Sequence, residues 1–156
     1  MWLGDAHAME TTLEKVLTEH AENAKEHPEI KLKIEAHLAQ TKEHARKVED
    51  CIAQLGEKIP AIKKTFAAFA GMLRGKAASM AEDFMVRNAV DEYMAEHLEI
   101  ASYTAIIVAA NELGEGDIAE ICEEILEEER EMADWLEDNL PGTVLKFFGS
   151  DELEVE

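Results

Sequence analysis

Cysteine, proline, glycine, basic side chains and long apolar runs are all scarce in this chain, and each shortage closes off a class of protein. With only Cys51 and Cys122, and no Cys-x-x-Cys spacing, there is no disulfide framework; both read as reduced core thiols. Three prolines and eight glycines leave few helix breakers, and beside abundant Ala, Glu, Leu and Lys this favours helix. Fifteen basic residues against 35 acidic ones give a formal net charge of −20, which argues against a phosphate-binding surface and so against nucleic acid as a partner. Such acidity fits a halophilic source, plain solubility, or carboxylates reserved for cations, and the excess of lysine over arginine weighs against the first. No run approaches the ~18 apolar residues of a membrane span, so no membrane partner is expected. Residues 1–10 lack the basic start and apolar stretch of a signal peptide, which makes the cytoplasm the expected location.

A length of 156 residues suits one domain, able to bury roughly 70% of its unfolded surface. Helical punctuation divides it. A first helix is expected over residues 4–25, with Leu3, Ala6, Glu10, Leu13 and Leu17 on one stripe. Pro28 suits the first position of a second helix carrying Ile34, His37, Thr41, His44, Val48 and Ile52 up to Gly56. A shorter helix is expected over 61–74, then a break at 79–83. A long third bundle helix follows, striped by Val90, Tyr93, Met94, His97, Ile100, Ile107 and Val108, ending at 113–116. The last helix starts near Asp117, aligns Ile118, Ile121, Ile125, Glu128, Met132 and Trp135, and stops at 139–142. Short connections imply antiparallel neighbours. The expected fold is therefore all-α, an up-and-down four-helix bundle over residues 1–148 with one additional helix in the middle connection. Residues 149–156 form an acidic, frayed tail.

Each main helix places an ionisable side chain where its own pattern points inward: Glu10; His37 and His44; Glu96, His97 and Glu99; Glu128 or Glu129. Alone, each has an ordinary explanation. Glu10 could snorkel at a stripe edge, His37 and His44 could be hydrogen-bonded core imidazoles, and residues 123–131 could be a solvated acidic face. Of the last group Glu128 fits the apolar stripe slightly better than Glu129. Glu96 and Glu99, one turn apart, carry the most weight, since buried unpaired carboxylates cost several kcal/mol unless neutralised. Together the set suits iron or manganese, which take hard carboxylate oxygens plus one or two imidazoles from facing helices. His7 could orient Glu10, Tyr103 could bond a carboxylate, and His20 and His27 read as ordinary helix-end residues.

The runs Asp-Ala-His-Ala-Met-Glu-Thr-Thr-Leu (5–13), His-Leu-Ala-Gln-Thr-Lys-Glu-His-Ala (37–45), Glu-His-Leu-Glu-Ile-Ala-Ser-Tyr (96–103) and Glu-Glu-Glu-Arg-Glu-Met-Ala-Asp-Trp-Leu (127–136) resemble the YciE/YciF ferritin-like family, over about residues 3–148. The resemblance implies a ferritin-like bundle with an additional helix, a homodimer, a di-iron-type centre and a link to stress responses. It carries ligand roles onto Glu10, His37, Glu96 and Glu99, and onto the acidic pair Glu128 and Glu129. Gln40 departs from it, standing where the family commonly has glutamate. That would weaken one metal position unless His44 compensates. The expected function is a carboxylate-bridged iron or manganese protein with metal ligands Glu10, His37, His44, Glu96, Glu99 and Glu128, reacting with dioxygen or peroxide. The competing reading is a metal-free dimeric bundle serving as a stress or scaffold protein.

Overall fold

The computed structural model describes residues 2–59 and 83–149. Four long helices make up nearly all of them: α1 (Trp2–Asn23), α2 (Pro28–Gln54), α3 (Phe84–Leu113) and α4 (Gly116–Phe147). A single 3-10 turn, Ala24–Glu26, links the first two. The additional helix expected at 61–74 and the tail beyond Gly149 lie outside the described residues. Among those residues there is no strand, and no helix is long and apolar enough to cross a membrane.

Local chemistry explains the ends. Pro28 occupies the first turn of α2, where its missing N–H costs no bond. Gly56 and Gly114 adopt φ of 72° and 77°. Beyond each, paired backbone bonds close the helix: Gly114 N–H to the Asn111 carbonyl and Glu115 N–H to that of Ala110, and likewise Gly56 to Ala53 and Glu57 to Ile52. The expected stop of α4 at 139–142 is corrected, because the helix runs through Pro141 to Phe147. Proline there withholds the N–H that the Glu137 carbonyl would otherwise accept, a loss the last turns of the helix tolerate without breaking. Side chains tie the same segment together, Asn139 donating to the Trp135 carbonyl (2.8 Å) and Thr143 to the Asn139 carbonyl (3.0 Å).

Cross-helix pairs fix the topology. His44 meets Glu128 and Glu129, Lys47 meets Glu124, and Glu29 meets Lys146, so α2 and α4 are antiparallel. His20 meets Glu92 and Glu10 meets Tyr103, so α1 and α3 are antiparallel. Because the tight turn also reverses α1 into α2, α2 and α3 must run parallel. The strict up-and-down alternation expected from sequence is thus corrected at this step. The end of α2 and the start of α3 thus lie at opposite ends of the bundle, about 40 Å apart at α2's 27 residues. Parallel second and third helices are the arrangement of bundles with one long crossover, ferritin-like ones among them.

The helices enclose two apolar clusters. The larger lies toward the Trp2 and Leu113 end and includes Met9, Leu13, Val48, Tyr103, Ile106, Cys122 and Ile125. The smaller, near the turn between α1 and α2, contains Leu17, Ala21, Ala24 and Ile34. Cys51 and Cys122 are free and buried, as expected.

On α3 the expected inward stripe is out of phase. Val90, Met94 and Val108 are exposed, and His97 stands outside edge-on to Tyr93. The buried side is instead Asn88, Asp91, Glu92, Ala95, Glu96, Glu99, Tyr103, Ile106 and Ala110. Apolar residues occur all round α3, so their spacing does not assign its inner face. Pro141→Ala is expected to raise stability by about 1–3 kcal/mol in chemical denaturation, since alanine restores the N–H and removes the ring's clash with the preceding turn; no gain would mean that α4 accommodates the ring without strain.

Candidate metal centre

Midway along the bundle the buried faces of all four helices turn polar at one level. Glu10 of α1 lies between Met9 and Leu13 on a face that continues to Val16 and Leu17. His37 and His44 are two turns apart on α2, with Thr41 between them donating to the His37 carbonyl at 3.1 Å. Glu96 and Glu99 come from α3. Glu129 comes from α4, surrounded on its own helix by Cys122, Ile125, Leu126, Met132, Ala133 and Leu136, all buried. The six residues are each no more than 2% exposed.

Of the residues expected as ligands, Glu10, His37, His44, Glu96 and Glu99 come together here, and of the acidic pair on α4 it is Glu129, not Glu128, that is buried among them. Glu128 is at the rim, its side chain 35% exposed, and reaches in only to touch His44 Nε2 at 3.1 Å. Aligning α4 on Ile121 and Trp135, both half-buried, rotated the helix by one position. The residues three, four and seven away from Glu129 on both sides are all buried, and that signal was available in the sequence.

The distances define two overlapping sets of three. Ligand atoms of Glu10, His44 and Glu129 lie within 4.8 Å of one another, and so do those of His37, Glu96 and Glu129. Glu129 belongs to both. His37 Nε2 is 3.0 Å from Glu96 Oε1, and His44 Nδ1 is 2.8 Å from Glu129 Oε1 and 3.8 Å from Glu10 Oε2. Several buried ligand atoms here have no hydrogen-bond partner: Glu10 Oε2, His37 Nδ1, Glu96 Oε2, Glu99 Oε2 and Glu129 Oε2; His44 Nδ1 and Glu129 Oε1 have only their contact with each other, with Glu10 Oε2 farther off. Buried polar atoms are nearly always satisfied, so unpartnered atoms contributed by four helices suit a cation as their common partner. Tyr103, itself fully buried, donates its hydroxyl to Glu10 Oε1 and fixes that carboxylate.

Electrostatics agrees. Burial, then the nearby Glu129 charge, pushes the Glu10 carboxyl up to about 8 against the pull of His44, Tyr103 and His37. Burial also raises Glu96 to about 8, opposed by His37. Glu99 stands well above the carboxylate range because it is buried among Glu129, Glu10 and Glu96. Burial lowers His37, but Glu96 and further carboxylates outweigh it and carry the imidazole up to about 9. His44 is raised in the same way, chiefly by Glu129 against its burial.

Sequence reasoning also passed over a second buried polar group. His20, expected as an ordinary helix-end residue, is 1% exposed and lies 2.5 Å from Glu92, near buried Asn88 and Asp91. Spacing held a clue, since His20 follows Leu13 by seven residues and Leu17 by three, and Glu92 precedes Glu96 by four.

This is an all-helical bundle with a buried carboxylate–imidazole cluster at its centre. The chain belongs to the family described as a domain of unknown function, DUF892, which matches residues 1–148. A protein from Xanthomonas campestris pv. campestris is 35% identical, with a TM-score of 0.82 over 95% of this chain and 92% of its own. The E. coli stress protein YciF matches at 22% identity and TM-score 0.82, over 93% of each chain. YcfI from Rhodopseudomonas palustris matches at 22% and 0.78, over 87% of this chain and 88% of its own. The last two are likenesses of fold.

Without metal, protonation stabilises the folded centre. Glu10 and Glu96 rise from 4.5 to about 8 on folding, so their contribution is complete below about pH 4.5 and is lost as pH climbs through 8. His37, raised from 6.5 to about 9, contributes with the same sign below 6.5 and loses it through 9. The melting temperature of chelator-treated protein should therefore fall from about pH 5 to about pH 9, as calorimetry would show. A rising profile would contradict the buried arrangement.

Proposed function

We propose that the protein binds two divalent iron or manganese ions in a carboxylate-bridged centre. The observation that carries this is the convergence of unpartnered buried ligand atoms on two triads that share Glu129. Glu10 and His44 would hold one ion, His37 and Glu96 the other. Glu129 would bridge them, with Glu99 beside it as the second bridging candidate. The donor inventory is four carboxylates and two imidazoles, the total of a scheme with one Glu on each of two helices and Glu-x-x-His on each of the other two. Only its distribution differs, both imidazoles being on α2 and two carboxylates on α3. Four carboxylates balance two divalent charges, so Gln40 need not reduce occupancy, and His44 supplies a donor on the same helix.

Bound there, iron or manganese supplies redox chemistry toward dioxygen or peroxide. The chain's own contribution is to hold the ligands, exclude water and restrict access. The void bordered by His37 and Glu96 is ≈ 10 Å³, room for about one water. A stress-related role fits the description of YciF, which this chain resembles in fold. Exposed Val90, Met94, Leu98 and Val108 on α3 support pairing of two copies.

The second reading, a metal-free dimeric stress or scaffold protein, is favoured by one observation: close His37–Glu96 and His44–Glu129 pairs let the centre neutralise itself without a cation. Anaerobic reconstitution separates the two. The metal-centre reading expects about two ions per chain and, at hundredfold excess over Kd, about 2.7 kcal/mol of added stability per site, removed by chelator. Glu129→Gln should abolish the pair of ions, whereas Glu128→Gln should keep the stoichiometry and weaken affinity by about 10–100-fold, as expected for a residue that only orients a ligand. Metal content near zero, with a melting temperature indifferent to chelator, would leave the metal-free reading.

A further inference from the structure

The interior is not symmetrical about the centre. Toward the Leu113 end α3 buries Tyr103, Ile106 and Ala110 in the larger apolar cluster. Toward its own start it buries Asn88, Asp91 and Glu92, and α1 adds His20. None of these four is needed as a ligand, and the burial of His20 and Glu92 is offset by their contact with each other.

Two cavities flank them. An open crevice of ≈ 20 Å³ is bordered by Asn88, His20 and Glu92 beside Trp135 and Asn139. Farther in, the ≈ 10 Å³ void is bordered by Asp91, Glu92, Glu96 and His37. Glu92 borders both, and on the crevice side it lies 2.5 Å from His20. Glu96 and His37 then border both the inner void and the centre, and their atoms Oε2 and Nδ1 lack hydrogen-bond partners. Successive carboxyl positions 92 and 96 are one turn apart, a step of about 6 Å. Among the described residues, no lysine or arginine borders either cavity.

We propose that the buried polar face of α3 from Asn88 to Glu96, with His20, is the route by which a divalent cation passes from the crevice beside Trp135 to the centre. The route rests on the metal-centre reading. Glu92 accepts the cation on the crevice side, breaking its contact with His20, and a change of its rotamer delivers the ion to Glu96 and His37. The strongly acidic surface raises the local cation concentration outside.

Uptake kinetics test it, with cobalt(II) as the probe and its visible absorbance followed after rapid mixing with the metal-free full chain. Glu92→Gln removes the carrier charge, and Ala89→Leu narrows the crevice without touching a polar group. Both should slow uptake about tenfold, the effect of ~1.4 kcal/mol on the barrier, while final stoichiometry matches the parent and circular dichroism melting confirms folding. Parental rates in both variants would overturn the route. So would slowing confined to Glu128→Gln, which would place access at the rim beside His44. If the parent protein takes up no cobalt, the metal-centre reading itself fails and the route with it; parental uptake with unaltered variant rates removes the route alone.

Discussion

Four carboxylates placed within a few ångströms of one another, out of water, are the constraint on which the rest of this structure depends. Each would prefer solvent, and burial together with the Glu129 charge raises the proton affinity of Glu10, Glu96 and Glu99. Two imidazoles offset part of the repulsion. The apolar clusters on either side must supply the remainder, and they are placed accordingly, the larger closing one end and the smaller helping to close the other. Positive charge at the centre would turn the same arrangement from a liability into a binding site, without moving a helix.

Helix α3 shows what the constraint does to sequence. In an ordinary amphipathic helix the apolar residues mark the inside. Here the acids do, and Val90, Met94 and Val108 face outward. A pattern search that follows hydrophobicity reads this helix inside out while still finding Glu96 and Glu99, because the motif was singled out for its oddity and not for its phase. On α4, where polarity is ordinary, the same search came within one residue, choosing Glu128 over Glu129.

Helix boundaries were legible because they rest on local chemistry: Pro28 at a start, Gly56 and Gly114 at left-handed stops. The central ligands were legible in part because buried charge is rare enough to stand out. Chain direction was not. Nothing local in residues 55–83 states which end of the bundle they return to; only contacts such as Glu10 with Tyr103 and His20 with Glu92, far apart in sequence, settle that α2 and α3 run parallel. His20 was illegible for a related reason, since a histidine near a helix end has an ordinary explanation until the partner from another helix is seen.

Parallel α2 and α3 also shape the centre. His37 and His44 descend α2 in the same direction as Glu96 and Glu99 descend α3, so one imidazole pairs with each level of the cluster: His37 with Glu96 nearer the turn, His44 with Glu10 and Glu129 farther down. Had α3 run the other way, with its first acid opposite His44, the Asn88–Glu92 segment would point into the larger apolar cluster instead of toward the crevice beside Trp135. The parallel run of α2 and α3 is therefore what sets the order of groups along the interior: open crevice, His20 and Glu92, the carboxylate–imidazole cluster, then a closed apolar end.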